Sequence, residues 1–136
     1  RPSEEKINGK GADMVAHLVH RDSDGHLAVV AVLLQAGRSS SLIETLWKNL
    51  PKEKGREREV PDVEVNAADL LPANKAAYYT FTGSLTTPPC SEGVTWLVLK
   101  ARTSISKAEV ARFAHLYPMN ARPTQPVNGR EIRVSQ

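Results

Sequence analysis

The first regular pattern of apolar and polar residues is an alternation with period two in DMVAHLVHR, at positions 13–21. This period is typical of a β-strand, in which successive side chains point to opposite faces of the sheet. The turn DSDGH and a second apolar run, LAVVAVLLQAG at positions 27–37, follow at once. Together the three segments predict a β-hairpin around Asp24 and Gly25.

Two other segments place their apolar residues at helical spacing. In SLIETLWKNLP, at positions 41–51, Ser41 lies three residues before Glu44, which predicts a capping box and a helix that ends at Pro51. In SISKAEVARFAHLYP, at positions 104–118, Ser106 stands three residues before Glu109. The same signature predicts a second helix there.

Strand-like runs complete the chain. AAYYTFTGSL and VTWLVLK are rich in aromatic and β-branched residues, and a last short strand is expected at positions 131–135. Asn66 is expected to cap a short turn that buries Leu70 and Leu71. The predicted fold class is mainly β (α+β), with two peripheral helices and one domain, or one piece of a domain, over residues 1–136. Both outer strands are expected to expose apolar edges unless more chain pairs with them.

Charge and hydropathy exclude two classes of function. The net charge of +3 is small, and the segment KEKGREREV mixes acidic with basic residues, so we interpret it as a solvated loop. Without a basic stripe or interleaved aromatic residues, nucleic-acid binding is not expected. Because no apolar run approaches the roughly 18 residues of a spanning helix, no membrane span is expected either.

The four histidines are the first candidates for chemistry. His17 and His20 lie on opposite faces of the predicted strand and therefore cannot be ligands of the same metal ion. A single histidine on an apolar strand face is more often a hydrogen-bonded core residue than a metal ligand, and both readings of His17 stay open. His26 and His115 are interpreted as surface residues.

A second candidate is the loop SLTTPPC, at positions 84–90. Thr86 and Thr87 offer two hydroxyls just before Pro88 and Pro89, which stiffen the chain. Such a loop can orient a small oxygen-bearing ligand, or it can be an ST-turn that satisfies only its own backbone. Cys90 is the only cysteine, so it is a free thiol, a small buried apolar residue, or half of a disulfide whose partner is absent.

Five motifs in order resemble the α-class carbonic anhydrases: PSEE, AHLVH, LAVVAVLL, GSLTTPPCSEGVTWLVLK and NARPTQPVNGREI. The resemblance covers essentially the whole chain and is closest to bacterial members. It implies a large, twisted, mostly antiparallel sheet with peripheral helices and a zinc ion (Zn2+) in a cone-shaped cleft. It also implies reversible hydration of carbon dioxide to bicarbonate.

The resemblance assigns expected roles to individual residues. His17 matches the third zinc ligand. Thr86 matches the hydroxyl that accepts a hydrogen bond from the nucleophilic hydroxide and donates its own to a carboxylate, which Glu4 would supply. Thr87 matches a second polar group of the site. An apolar wall that holds carbon dioxide is matched by Val19, Val29, Leu85, Val94 and Trp96.

The chain departs from the family pattern in two ways. The first two histidine ligands, expected in a His-x-His just before PSEE, are not in this sequence, which therefore resembles the carboxy-terminal part of the domain. Val15 stands where many members have a glutamate that accepts the third ligand's free N–H. His17 thus needs another partner or has a looser orientation, and weaker zinc retention is expected.

Further expectations concern the partners of this chain. The amino-terminal portion of the same domain is an expected partner, and self-association is a further expectation. The resemblance pairs Cys90 with a cysteine in that portion, which implies a periplasmic or secreted protein. The alternative function is a metal-free carbonic-anhydrase-like module that binds a ligand or serves a structural role. Alone, the chain is expected to be a weak enzyme or an inactive one.

Overall fold

The fold is built on one mixed β-sheet with two helices beside it. The structure is a computed structural model that describes residues 2–51, 53, 55 and 57–135. Among these residues the strands are β1 (Met14–Arg21), β2 (Leu27–Ala36), β3 (Tyr78–Ser84), β4 (Glu92–Leu99), β5 (Thr103–Ile105) and β6 (Arg133–Val134). The helices are α1 (Ser41–Lys48) and α2 (Lys107–Leu116), with a 3-10 turn at Ala67–Leu70.

The strands lie in the order β1-β2-β4-β3-β6, and β5 pairs with the far end of β2. The pairings β1–β2, β3–β4 and β3–β6 are antiparallel, whereas β2–β4 and β2–β5 are parallel. The mainly β fold with peripheral helices and a mostly antiparallel sheet is therefore confirmed. The parallel contact of β2 with β4 joins two antiparallel hairpins into one sheet.

The two faces of the sheet bury different sets of residues. The helix-side core consists of Val32, Leu34, Ile43, Leu70, Leu99, Ile105 and Val110. The site-side core consists of Val29, Ala31, Val94, Trp96 and Val98. Strand β2 contributes to both, because successive side chains of a strand point to opposite faces. The unbroken apolar run of β2 follows from this two-sided burial.

The turn of the first hairpin is organised by Asp22. Its Oδ1 accepts the backbone N–H groups of Asp24 and His26, at 3.0 and 2.8 Å, and its Oδ2 lies 2.8 Å from His26 Nδ1. The hydrogen bond from the His26 ring lowers the pKa of Asp22 below its ordinary value. Gly25 has a φ of 87°, a conformation that favours glycine. The predicted hairpin around Asp24 and Gly25 is confirmed.

The two predicted capping boxes have different outcomes. The box at α2 is confirmed, because Ser106 Oγ accepts the Glu109 N–H at 3.1 Å and a Glu109 oxygen accepts the Ser106 N–H at 2.6 Å. At α1 the prediction is wrong by one residue, since the N-cap is Ser40 and Ser41 is already helical. The Ser40 hydroxyl accepts the Ile43 N–H at 3.4 Å.

The start of α1 depends on a residue of α2. Glu109 Oε1 accepts the Ser40 N–H at 3.2 Å, and the Glu109 carbonyl accepts the Trp47 indole N–H at 2.7 Å. The Trp47 ring also stacks on Phe113, with centroids 5.2 Å apart. Glu109 is buried, so both of its carboxylate oxygens satisfy helix-end donors that water does not reach.

Asn66 caps the 3-10 turn as predicted; Leu70 is buried, and Leu71 is half-buried. Strand β5 was not predicted, since three residues show too little periodicity to detect. The last strand is shorter than expected, at Arg133–Val134. In the segment KEKGREREV, residues 52, 54 and 56 lie outside the described part of the chain.

The outer edge of β1 has no strand partner within the described residues, and the opposite edge strand, β6, is exposed. Val19 and Val134 on these two strands are more than half exposed. No helix in the described part of the chain is long and apolar enough to cross a membrane.

We expect Glu109→Ala to lower the free energy of unfolding by about 1–3 kcal/mol, because it leaves the N–H groups of Ser40 and Ser106 without their acceptor. Urea denaturation followed by circular dichroism measures the change. The matched control is Glu44→Ala, which removes an exposed glutamate from α1 and should cost within about 0.5 kcal/mol. Equal losses for the two variants would contradict the link between the helices.

Candidate metal centre

Two neighbouring glutamates are held against β1 by a short closed loop. The Ser3 N–H donates to the Ala12 carbonyl at 3.0 Å, and the Ser3 hydroxyl oxygen accepts the Ala12 N–H at 2.8 Å. The same hydroxyl donates to the Glu5 carbonyl at 2.7 Å. Because Ser3 is buried, this double tie fixes where Glu4 and Glu5 meet the strand.

His17 lies between the two carboxylates. Its Nε2 is 2.7 Å from Glu5 Oε1, and its Nδ1 is 3.7 Å from Glu4 Oε2. The side chains of His17, Glu4 and Glu5 are 18%, 12% and 13% exposed. A ligand atom from each of the three lies within 4.8 Å of the others, so together they can hold a cation.

Trp96 fixes the plane of the His17 ring from the other side. The two rings meet edge to face, with centroids 4.8 Å apart and an angle of 83°. The Trp96 indole N–H donates to the Ser84 carbonyl at 3.0 Å. A Cβ at Gly83 would lie 3.0 Å from Trp96 Cδ1, a tight contact that would push the indole aside. The close approach of β3 to β4 therefore helps to position His17.

Glu4 is tied to the loop that precedes β6. Its Oε1 accepts the backbone N–H of Arg122 at 2.5 Å. The Arg122 guanidinium in turn donates to Ser84 Oγ at 3.3 Å. The PSEE and NARP segments are 118 residues apart in the chain and meet at this carboxylate. The other oxygen of Glu4 is left facing His17.

The structure brings the two predicted threonines to the same place. Glu4, His17, Thr86 and Thr87 line one cleft of about 240 Å³. Glu4 and Thr86 also line an adjoining cleft of about 340 Å³. No hydrogen bond joins Thr86 to Glu4 among the described residues, so this predicted pairing stays a prediction. Within the described part of the chain, neither the Thr86 nor the Thr87 hydroxyl makes a hydrogen bond to the backbone of its own turn. This disfavours the interpretation of the loop as an ST-turn.

Cys90 ends the threonine loop and has a φ of 58°. Its N–H donates to the Thr87 carbonyl at 2.8 Å and closes a turn that contains a cis bond between Pro88 and Pro89. The thiol is half-buried and free. A disulfide at Cys90 stays a prediction.

The residues predicted to form an apolar wall are only partly gathered. Val29, Val94 and Trp96 belong to the site-side core, and Leu85 packs against it. Val19 lies opposite Val29 in the register of β1 and β2 but is 57% exposed. On the same strand, His20 is exposed and belongs to the face opposite His17, as the alternation predicts.

The donor set fits zinc in type, because zinc in proteins is bound by histidine nitrogens and by carboxylate oxygens. A carboxylate accepts hydrogen bonds, so the short contact with Glu5 favours the tautomer in which His17 Nε2 is the donor. The lone pair is then on Nδ1, which is available for a metal. A second group, Asp22, Asp24 and His26, is exposed and already engaged in its own turn.

Glu5 is the site residue that sequence reasoning missed. It is the second glutamate of PSEE, and the family resemblance assigns the carboxylate role to its neighbour Glu4 and none to Glu5. The missing carboxylate at Val15 was a signal that His17 takes its partner from elsewhere. Only the path of the loop shows that this partner is Glu5.

Comparison with known proteins identifies the same family as the sequence motifs do. Residues 1–136 match the family model described as eukaryotic-type carbonic anhydrase. A carbonic anhydrase of Klebsiella pneumoniae is 44% identical over 133 residues, which are 96% of this chain and 53% of that protein. The chain spans about half the length of the curated relatives it matches.

Solved structures share the fold. A hyperthermostable carbonic anhydrase from a hydrothermal vent chimney is 44% identical, with a TM-score of 0.93 over 99% of this chain and 60% of that one. A dioscorin complexed with ascorbate is 31% identical, with a TM-score of 0.86 over 99% of this chain and 58% of that one. On the family match and these identities, the chain belongs to the α-class, eukaryotic-type carbonic anhydrase family.

Proposed function

We propose that this chain forms part of a zinc-dependent enzyme that hydrates carbon dioxide reversibly to bicarbonate and a proton. One observation supports this most directly. The His17 imidazole is held by a carboxylate at Nε2 and lines a cleft together with Glu4, Thr86 and Thr87. A ligating nitrogen, an acidic acceptor and two hydroxyls on one cleft are the groups that such a reaction requires.

In this proposal His17 contributes one nitrogen ligand through Nδ1. Bound zinc supplies hydroxide from water at neutral pH, as is established for carbonic anhydrases. An ionised Glu4 can only accept, so Thr86 donates its hydroxyl hydrogen to Glu4. The Thr86 oxygen is then an acceptor for the O–H of the nucleophile, and this aims the nucleophile's lone pair at the substrate.

The proposed substrate site is apolar because carbon dioxide is uncharged and needs no strong hydrogen bond to bind. Val29, Val94 and Trp96 provide a rigid surface, since each is buried in the site-side core. Leu85 packs against this core from within the loop that carries Thr86 and Thr87. Thr87, which is exposed, is the second polar group of the cleft that Glu4, His17 and Thr86 line.

The described residues provide one histidine, whereas the proposed metal site has three. The other two ligands are proposed to belong to the portion of the domain that the relatives have beyond the matched half. The chain by itself is then expected to retain zinc poorly and to hydrate carbon dioxide slowly. A disulfide from Cys90 to that portion, and a periplasmic or secreted location, are parts of the same proposal.

A metal-free binding module is the second candidate function. The fold is shared with a dioscorin solved in complex with ascorbate, so a relative of this fold takes a small organic ligand. Zinc analysis of the intact protein, which includes the amino-terminal portion, separates the candidates: about one equivalent of zinc together with carbon dioxide hydration supports the enzyme. Zinc far below one equivalent and no hydration support the module.

One prediction of this proposal concerns the metal ligand. A chimera that places the amino-terminal portion of the Klebsiella pneumoniae relative ahead of this chain should bind about one equivalent of zinc. His17→Ala should reduce zinc retention after dialysis by at least about tenfold, because a ligand is lost. The measurement is zinc content by mass spectrometry. His20→Ala is the matched control on the opposite face of β1, and unchanged zinc in His17→Ala would contradict the assignment.

Another prediction concerns the hydroxyl. In the same chimera Thr86→Val should lower kcat/KM for carbon dioxide hydration by about 10²-fold, because an oriented hydrogen-bond partner of the nucleophile is removed. Stopped-flow pH-indicator assays measure the rate, and zinc content should not change. Thr82→Val, at an exposed position of β3, is the control and should retain the parent rate. A Thr86→Val rate within twofold of the parent would refute the proposed part of Thr86.

A further inference from the structure

The contact between His17 and Glu5 is the shortest that His17 makes. Nε2 and Oε1 are 2.7 Å apart, and both side chains are mostly buried, so the pair is shielded from water. A carboxylate at this distance accepts a ring N–H, so the contact favours the tautomer with the proton on Nε2. A hydrogen bond of this kind sets both the tautomer of a histidine and the direction of its ring.

This carboxylate comes from an unexpected position. Val15 lies two residues before His17 on the same face of β1, and it packs against the site-side core without any polar atom to offer. Glu5 is 12 residues before His17 and reaches it from the loop that Ser3 and Ala12 close. The structure therefore supplies from the loop an acceptor that residue 15 of this strand does not have.

Glu5 has a feature that folding alone does not explain. Its second oxygen, Oε2, is buried and has no hydrogen-bond partner in the part of the chain that the structure describes. A buried carboxylate oxygen without a hydrogen-bond partner destabilises the folded state, so Glu5 Oε2 does not contribute to stability. The presence of Glu5 at this buried position is better explained by the hydrogen bond between its other oxygen, Oε1, and His17.

We propose that Glu5 is the positioning residue of His17. It holds the proton on Nε2, fixes the ring, and leaves Nδ1 as the ligating atom. The part of this inference that concerns zinc rests on the proposed function, whereas the tautomer belongs to the metal-free protein. Glu5 thus replaces, from a loop, a carboxylate that a strand residue at position 15 would otherwise provide.

The test starts with the metal-free protein, in which long-range ¹H–¹⁵N spectra report the His17 tautomer. We expect the Nε2–H form in the parent and a mixture of both tautomers in Glu5→Leu. Thermal unfolding should show little net change, because the variant removes an unsatisfied buried oxygen but also leaves the His17 N–H without its acceptor. Asp22→Asn, which alters the exposed carboxylate–histidine pair with His26, is the matched control and should leave His17 unchanged.

A second arm uses the chimera and competition with a chelator. Glu5→Leu should raise the zinc dissociation constant by about 10- to 100-fold. Adding Val15→Glu to Glu5→Leu should restore both the tautomer and most of the affinity, because it returns a carboxylate to the same face of β1. Rescue of this kind separates positioning from a general effect on folding.

Three results would overturn the proposal: an Nδ1–H tautomer in the parent, an unchanged tautomer in Glu5→Leu, or an unchanged zinc affinity in that variant. If Glu5→Leu loses zinc affinity while the His17 tautomer is unchanged, Glu5 is a direct metal ligand, and the proposed positioning role is wrong. Failure of the proposed function has a separate signature, namely zinc binding that does not depend on His17.

Discussion

The two-sided burial of β2 is the constraint on which the rest of this structure depends. The strand pairs with β1 on one edge and with β4 and β5 on the other, and both of its faces are covered. A strand that buries both faces has its register strongly specified, since a slip by one residue would exchange the faces. His17 is paired with Ala31, and the register of β2 thereby decides that His17 faces Trp96.

The site is assembled by ties between distant segments rather than within one element. Glu4 is held by a backbone N–H 118 residues away, and Trp96 is held by the Ser84 carbonyl on the neighbouring strand. Each of these hydrogen bonds restricts the rotation of the side chain that it holds. Side chains held in place in this way lose less conformational entropy when they bind a ligand, and this would favour the proposed metal site.

The same principle appears on the helix side of the sheet. Glu109 caps its own helix and also accepts the N–H that precedes α1, so one buried carboxylate orders two helix starts. Glu5 differs from it in one respect: Glu109 uses both oxygens, whereas one Glu5 oxygen is unsatisfied. This contrast distinguishes a carboxylate that stabilises the fold from one whose presence is better explained by the site.

What the sequence by itself determined is local. The β1–β2 hairpin, the capping box of α2 and the family motifs depend on residues a few positions apart, and short-range periodicity and turn chemistry are enough to predict them. The tertiary structure decided the start of α1 among three consecutive serines, because Glu109 from a distant helix selects Ser40. It also decided that Glu5 rather than residue 15 meets His17. Such contacts depend on the path of a closed loop, and no pattern of neighbouring residues encodes that path.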